Sequence, residues 1–554
     1  MNRNLWIAKH RAATLELLRH SLPALMVLGA ALYYLSYIRY GINFEDEGAL
    51  LLAADAVLRG KVLYRDLYVA YMPGGYYLYA LFFKCFGSGI VVGRMLCLTL
   101  RLLSVVLCLA IARRFLPSGL AVLPVVPMVL VPGPWYKALF VTLSLLNVAV
   151  ALWYCDGPTW KRLVVCGLLV GFTALYRHEL GLACLGIMSV SILLDEVTAS
   201  ATQQRNAVVT LGVIVCRVVV LTAIAALVLV PVLAYLRAQG AFNYIFASML
   251  TAAARYNLAR HKELPAFRLS ATGRERSILS ILGYNVYALL YWFPLAIYLL
   301  TLVLTALRLR QRMQDRESRD GLVACMSGVI LYGLVYLFPH PVNLLTTLPV
   351  AYLLAAWIAY RLFQRAQGVV HSVARWSGPA YTLLVGLCVI GGLLSLVCGW
   401  SSPYAVGSMA LRWSCPAYLD LPRAGVYGQT AEVEDTKKVV EYVKAHTVAQ
   451  DPLLVMPVHG WLLYFLCERF PPSKQPIEFA LGERGYAEEQ ILAQDLAEHR
   501  PPYIIVWEGQ RQNPALSAPD SVVMAFVNAN YKEEARFGQY TILKLARDIQ
   551  MYQP

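Results

Sequence analysis

Three carboxylates stand side by side at Glu45-Asp46-Glu47, a few residues beyond the apolar run Leu22 to Ile38. That run is long enough to cross a bilayer, so the sequence FEDEG emerges where hydrocarbon gives way to water. A carboxylate clustered with others beside a low-dielectric slab has its proton affinity raised toward neutral pH, and it can take a proton from an attacking hydroxyl or amine. The ordinary alternative is a solvated acidic cap on the outer end of a helix. Position alone favours the cap, and the other polar groups of the chain shift the balance toward chemistry.

Three further groups could serve the same boundary. Tyr176-Arg177-His178-Glu179 sets polar side chains together at the turn between two apolar runs, where ionisable residues are costly unless they face a cavity or the interface. Phe338-Pro339-His340-Pro341-Val342-Asn343 holds a lone histidine between prolines, either a rigid turn or a hydrogen-bond donor to an anion or a sugar. The segment Arg237 to Arg276 is basic, and within it Arg255-Tyr256 and Arg260-His261-Lys262 are the best candidates to grip phosphate oxygens.

The chain that must position these groups has 554 residues, 59% of them hydrophobic and 15% charged, with a mean hydropathy of +0.56. This is the composition of a polytopic membrane protein. Eleven apolar runs read as spans: Leu22 to Ile38, Ile90 to Ile111, Leu120 to Val131, Ala138 to Tyr154, Leu163 to Leu175, Leu180 to Leu194, Val208 to Leu236, Ile278 to Leu307, Leu322 to Phe338, Val342 to Ala359 and Tyr381 to Val397. The third, fifth and sixth are shorter than the usual spanning length. Between the first two runs, Gly41 to Gly87 is rich in tyrosine and reads as an interfacial loop.

Arg and Lys fall in every second turn: Arg113 and Arg114, Lys161 and Arg162, Arg205, Arg308 to Arg319, then Arg361, Arg365 and Arg375. That pattern puts the N-terminus in the cytoplasm and the end of the chain outside. The net charge of +15 is therefore a signature of orientation and of attraction to anionic lipid, and nucleic acid is not implied as a partner. The segment Arg237 to Arg276 breaks the rule by being basic on the outer side. The cysteines show no C-x-x-C pair and no Cys/His spacing suited to zinc. Cys415 and Cys467 lie outside the membrane on this topology and could pair in an oxidising compartment.

From about Ser401 the composition changes. Short apolar runs, Leu453 to Val458 and Tyr503 to Trp507, alternate with helix-like stretches Glu434 to His446 and Tyr486 to His499. Tyr531 to Leu545 reads as two strands turning at Phe537-Gly538-Gln539. The expectation is a membrane domain over 1–400 and a soluble α/β domain over 401–554.

An acidic pair after the first span, an interfacial helix and a Y-x-x-x-x-P-G-G-Y-Y-L-Y stretch leading to the second span together resemble the bacterial GT-C glycosyltransferases, relatives of the lipid A aminoarabinose transferase and, more remotely, of protein O-mannosyltransferases. The resemblance is sharpest over Phe44 to Gly87. It implies a GT-C fold, a polyprenyl-phosphate sugar donor, a lipid, glycan or protein acceptor on the outer face of a bacterial inner membrane, and inversion at the anomeric carbon. It also implies that Asp46 is the general base with Glu47 beside it. No cofactor is required, although a divalent ion held by Asp46 and Glu47 is compatible with the pattern. The aminoarabinose transferases carry a Lys-Pro-Pro sequence where this chain has Tyr71-Met72-Pro73-Gly74, so the positive charge for the donor phosphate must come from elsewhere, and the basic outer segment is the obvious supplier.

Two other functions share these features. A flippase or transporter for lipid-linked sugars would place ionisable groups in mid-span, where the sequence offers essentially Arg217. An enzyme resembling the O-antigen ligases would use a pyrophosphate-linked donor and a large basic outer loop without depending on first-loop carboxylates. The topology is tested by reporter fusions after Arg316 and after Trp413. The two should report opposite sides of the membrane, and finding both on one side would refute the arrangement.

Overall fold

A computed structural model describes residues 21–246, 263–268, 278–309, 316–337, 339–369, 410–456, 460–474, 486–508 and 521–546. The expected span Tyr381 to Val397 lies outside the described residues. Helices α1 (Ser21–Tyr37), α2 (Asp46–Leu58), α3 (Gly74–Phe86) and α4 (Ile90–Ala112) open the chain, and α5 is the short Val125–Leu130. There follow α6 (Ala138–Cys155), α7 (Trp160–Tyr176), α8 (His178–Gln203), α9 (Ala207–Ala238), α10 (Ile278–Leu309), α11 (Arg316–Leu337) and α12 (Leu348–Val369). Six of the described helices are long and apolar enough to cross a membrane. The chain is a multi-pass membrane protein with a strand-containing C-terminal region.

The chain divides into two compact units. One, the span unit, comprises Met1–Ser36, Cys97–Val230 and His261–Ser408; the other, the loop–tail unit, comprises Tyr37–Leu96, Pro231–Arg260 and Met409–Pro554. The change of composition near Ser401 thus differs from the division by packing, which groups the first outer loop with the C-terminal region.

Within the span unit, helices α4 and α6 run in the same direction. Arg101 donates to the carbonyl of Gly133 (2.5 Å), Ser104 bonds Thr142 (2.9 Å) and Arg114 pairs with Asp156 (2.6 Å), so positions advance together along the two helices. The chain from 115 to 134 must therefore return along their length. The expected third span is not a continuous helix, however, because Pro117, Pro124, Pro127, Pro132 and Pro134 confine it to the six residues of α5. A broken path of this kind is tolerated at membrane depth when it is packed inside protein, and Ala121, Leu123, Val125, Met128 and Val129 are all buried. The tenth expected span also starts late. Pro341–Leu344 is a separate turn of helix, and α12 begins at Leu348.

At one end of the bundle, ions join five helices. Arg114 holds both Asp156 and Asp320 (each 2.6 Å), Arg316 reaches Asp156 (2.6 Å), and Arg217 of α9 bonds Glu196 (2.5 Å) and the phenol of Tyr154 (3.0 Å). Helix α9 otherwise meets α7 over two glycines four residues apart. A Cβ on Gly167 would stand 2.8 Å from Ile224, and one on Gly171 would stand 2.6 Å from the carbonyl of Ala225. Small residues at this spacing let helix backbones approach where no hydrophobic effect drives them together.

The tail of the loop–tail unit is an α/β layer. Strands β1 (Ala417–Leu419) and β2 (Val426–Gly428) form an antiparallel pair, and β3 (Leu453–Met456), β4 (Tyr503–Trp507), β5 (Tyr531–Phe537) and β6 (Tyr540–Leu545) form a sheet in the order β3-β4-β6-β5. Only β3 and β4 are parallel. Helices α13 (Thr430–His446), α14 (Trp461–Cys467), α15 (Tyr486–His499) and α16 (Val522–Asn530) complete it. Leu454, Met456, Ile504 and Val506 of the sheet meet Leu492, Leu496, Val523 and Phe526 in one apolar core. Cys415 and Cys467 are buried free thiols and form no disulfide.

Helix α2 lies against α14 with no side chain between them at Gly48, where a Cβ would come 2.4 Å from the backbone nitrogen of Leu462. Gly48→Ala should therefore push the helices apart and lower stability by about 1–3 kcal/mol, read as a lower melting temperature of the purified protein. Gly29→Ala, which meets nothing within 4 Å, should leave melting unchanged or raise it.

Candidate functional site

Asp46 and Glu47 open α2, where carboxylates in the first turn complement the helix dipole. Their surroundings differ. Glu47 is 5% exposed and Arg94 of α4 is 1% exposed. Arg94 donates Nε to Glu47 Oε1 and Nη2 to Oε2, both at 2.7 Å, a two-point grip of the strongest kind. The remaining Arg94 donors go to the carbonyls of Ile38 (3.0 Å), Tyr40 (3.2 Å) and Gly41 (2.8 Å), so all five are used. The Glu47 amide donates to Asn43 Oδ1 (3.2 Å). Asp46 is half-buried, and its carboxylate forms no hydrogen bond or ion pair among the described residues. The neighbouring carboxylates thus divide the work: Glu47 is committed to Arg94, and Asp46 is available to a ligand.

The rest of the loop is fastened to the tail. The Leu462 amide donates to the carbonyl of Phe44 (3.1 Å), and the Phe44 ring packs 5.7 Å from Trp507. At the other end of α2, buried Asp55 pairs with Arg59 (2.9 Å) and Arg423 (3.0 Å), and Glu468 binds Lys444 (2.6 Å), Arg59 and Arg423 (each 3.4 Å). Burial alone would raise the Glu468 carboxyl, but Lys444, Arg423 and Arg59 together hold it below the usual carboxylate range. Tyr64 takes a positive φ of 69°, strained for an aromatic residue, and its phenol donates to the carbonyl of Tyr71 (2.8 Å).

In the span unit the polar groups gather at the end opposite the ion belt. Arg177 caps the N-terminus of α8 and pairs with Glu179, whose other oxygen faces His178 Nδ1 at 3.4 Å. The Arg177 guanidinium lies 4.7 Å from the centre of the Phe140 ring. Lys137, 6% exposed and at the N-cap of α6, lies 5.4 Å from the same ring. Cations at two helix N-termini oppose the helix dipoles, and an anion seated at that place would relieve the opposition. Arg101 is buried and stacked 3.8 Å over Trp135, two residues before Lys137. His340 accepts the amide of Val342 through Nδ1 (3.4 Å) and caps the turn Pro341–Leu344. Arg255, Tyr256, Arg260, His261 and Lys262 lie outside the described residues. The one group of described residues arranged to hold a metal is Asp495, Glu498 and His499 on α15, and two of the three are exposed.

Sequence reading missed Arg94, Arg101 and Lys137. The first two stand seven positions apart inside an apolar run, hence on one face of α4, and charge inside a span was the signal that could have found them.

No protein-family model and no curated protein matches the chain. Solved structures do. ArnT from Cupriavidus metallidurans in the apo state matches with a TM-score of 0.51 at 13% identity, covering 96% of this chain and 98% of that one. The oligosaccharyltransferase of Archaeoglobus fulgidus, solved with a tethered acceptor peptide, matches with a TM-score of 0.51 at 10% identity, covering 97% of this chain and 75% of that one. The fold is that of the GT-C glycosyltransferases.

The Glu47–Arg94 pair yields a stability prediction. Arg94→Met leaves a buried unpaired carboxylate and should cost about 3–5 kcal/mol, whereas the double replacement Glu47→Met, Arg94→Met should recover most of that loss. Thermal melting of both variants checks it; a single variant as stable as the parent would mean that the pair is dispensable.

Proposed function

We propose that the chain is an inverting membrane glycosyltransferase that moves a sugar from a polyprenyl-phosphate donor to a lipid, glycan or protein acceptor on the outer face of a bacterial inner membrane, with residues 401–554 on that side. The observation that carries this reading is the separation of two adjacent carboxylates on a GT-C fold, one locked by Arg94 and one left to a ligand. Asp46 accepts the proton of the acceptor hydroxyl or amine as that atom attacks the anomeric carbon. The new bond forms on the face opposite the phosphate, and the bond to the phosphate oxygen breaks, its electron pair leaving with the polyprenyl phosphate. A single displacement of this kind inverts the anomeric centre. Glu47 acts as a positioning residue through Arg94.

Negative charge grows on the departing phosphate oxygen, and preorganised cations lower that barrier. Lys137 and Arg177 are the described residues best suited to it, and the outer segment residues Arg255, Arg260 and Lys262 remain the proposed supplement. The transporter reading predicts free ionisable groups within spans. Arg94 lies in one, but its five donors are all occupied by protein, which favours a structural use.

Asp46→Asn should keep the fold and the donor affinity while reducing sugar transfer by about 10²-fold or more. The check is transfer of labelled sugar from a polyprenyl-phosphate donor to membrane extract, beside the melting temperature. Parent-level transfer by Asp46→Asn would remove it as the base. Glu47→Gln should lower melting temperature and activity together.

A further inference from the structure

One surface of the loop–tail unit is used by neither the carboxylates nor the core. Tyr40, Tyr427 and Tyr418 lie on three neighbouring strand segments. Tyr40 bridges to Tyr427 through backbone bonds, Tyr427 to the Arg39 carbonyl (2.6 Å) and Gly41 to the Tyr427 carbonyl (2.9 Å), and Tyr418 pairs with Tyr427 across β1 and β2. Side chains opposite one another on neighbouring strands share a face. The Tyr40 and Tyr427 rings stack at 4.8 Å and 13°, and the Tyr418 ring follows at 5.0 Å. Arg412 lies 5.4 Å over Tyr40. Arg39 is exposed, Tyr418 is 41% exposed, and Trp413 is 87% exposed. The solvated rings, Trp413 and Tyr418, thus stand beside two half-buried ones, Tyr40 and Tyr427, together with Arg39 and Arg412.

Two tethers fix the height of the ladder. Tyr40 comes three residues after the end of the apolar helix α1 at Tyr37, a reach of at most about 10 Å. Independently, the loop between β1 and β2 sits on the start of the span α4, where the Ile90 amide donates to the Arg423 carbonyl at 2.9 Å. The second places the ladder at the level where the span α4 leaves the hydrocarbon. Tyrosine and tryptophan belong at that level because their rings join apolar body to polar edge. Arginines there meet the phosphates of anionic lipid, a gain of up to about fivefold in binding for each.

We propose that the Tyr40-Tyr427-Tyr418 ladder, with Arg39, Arg412 and Trp413, is a docking surface for the headgroups of anionic phospholipids. It fastens the strand pair to the leaflet at the mouths of α1 and α4, and so holds the chain that carries Asp46 at a set depth.

The test uses the full-length protein in nanodiscs. The difference in fluorescence between parent and Trp413→Phe isolates the Trp413 signal. Brominated phosphatidylglycerol and brominated phosphatidylcholine, at equal mole fraction, are the quenchers. The expected result is loss of roughly half or more of the Trp413 signal, with the phosphatidylglycerol quenching it more strongly, and return of the two quenchers to parity in Arg39→Gln, Arg412→Gln. Arg39 is exposed and Arg412 half-buried, and unchanged elution and melting would certify the fold of the variants. A Trp413 signal that bromine leaves intact would overturn the docking surface, as would a response to soluble oligosaccharide in place of lipid. Equal quenching by the two lipids in the parent would overturn the recognition of anionic headgroups.

Discussion

The loop–tail unit is organised around one buried ion pair. Arg94 stands one turn into an apolar helix, and a guanidinium in such a place is tolerable only if every donor is met. Glu47 meets two of them, and three carbonyls of the chain between Ile38 and Gly41 meet the rest. Those carbonyls are turned toward the arginine at the point where the chain leaves α1. The consequence for function is indirect but strong. With Glu47 fixed, the first turn of α2 is fixed, and the side chain one position earlier is aimed about 100° around the helix from it. Asp46 therefore inherits its orientation from a pair in which it takes no part.

Much of this architecture was legible in the chain. The short, β-branched apolar run Tyr503 to Trp507 coincides with a strand of the same bounds, and Phe537-Gly538-Gln539 with the turn between β5 and β6, because these signals are local. Helix α15 likewise runs from Tyr486 to His499 as its apolar spacing implies. The third crossing was legible as an apolar stretch but not as a broken one. Hydropathy counts side chains, whereas the prolines between Pro117 and Pro134 act on backbone hydrogen bonds.

The candidate site was legible only in part, for a different reason. FEDEG announces carboxylates, but which of them is free depends on a partner 47 residues away in sequence. Nothing near Glu47 reveals Arg94, and Arg94 alone reads as an anomaly in a span. The same holds for Lys137, which sits among aromatic residues in a proline-rich turn and gives no periodic signal. Arg177 was visible because its polar neighbours are consecutive. His340, visible for the same reason, caps its own turn through Nδ1.

Placement of charge separates the two ends of the span unit. At one end the arginines are matched by acids: Arg114 by Asp156 and Asp320, Arg217 by Glu196, Arg319 by Asp195. At the other, Arg177 pairs with Glu179, and Arg101, Lys137 and Arg177 rest on aromatic faces. Aromatic rings stabilise a cation without neutralising it. The first end is therefore fastened by ion pairs, whereas at the second aromatic faces share that work with the Arg177–Glu179 pair.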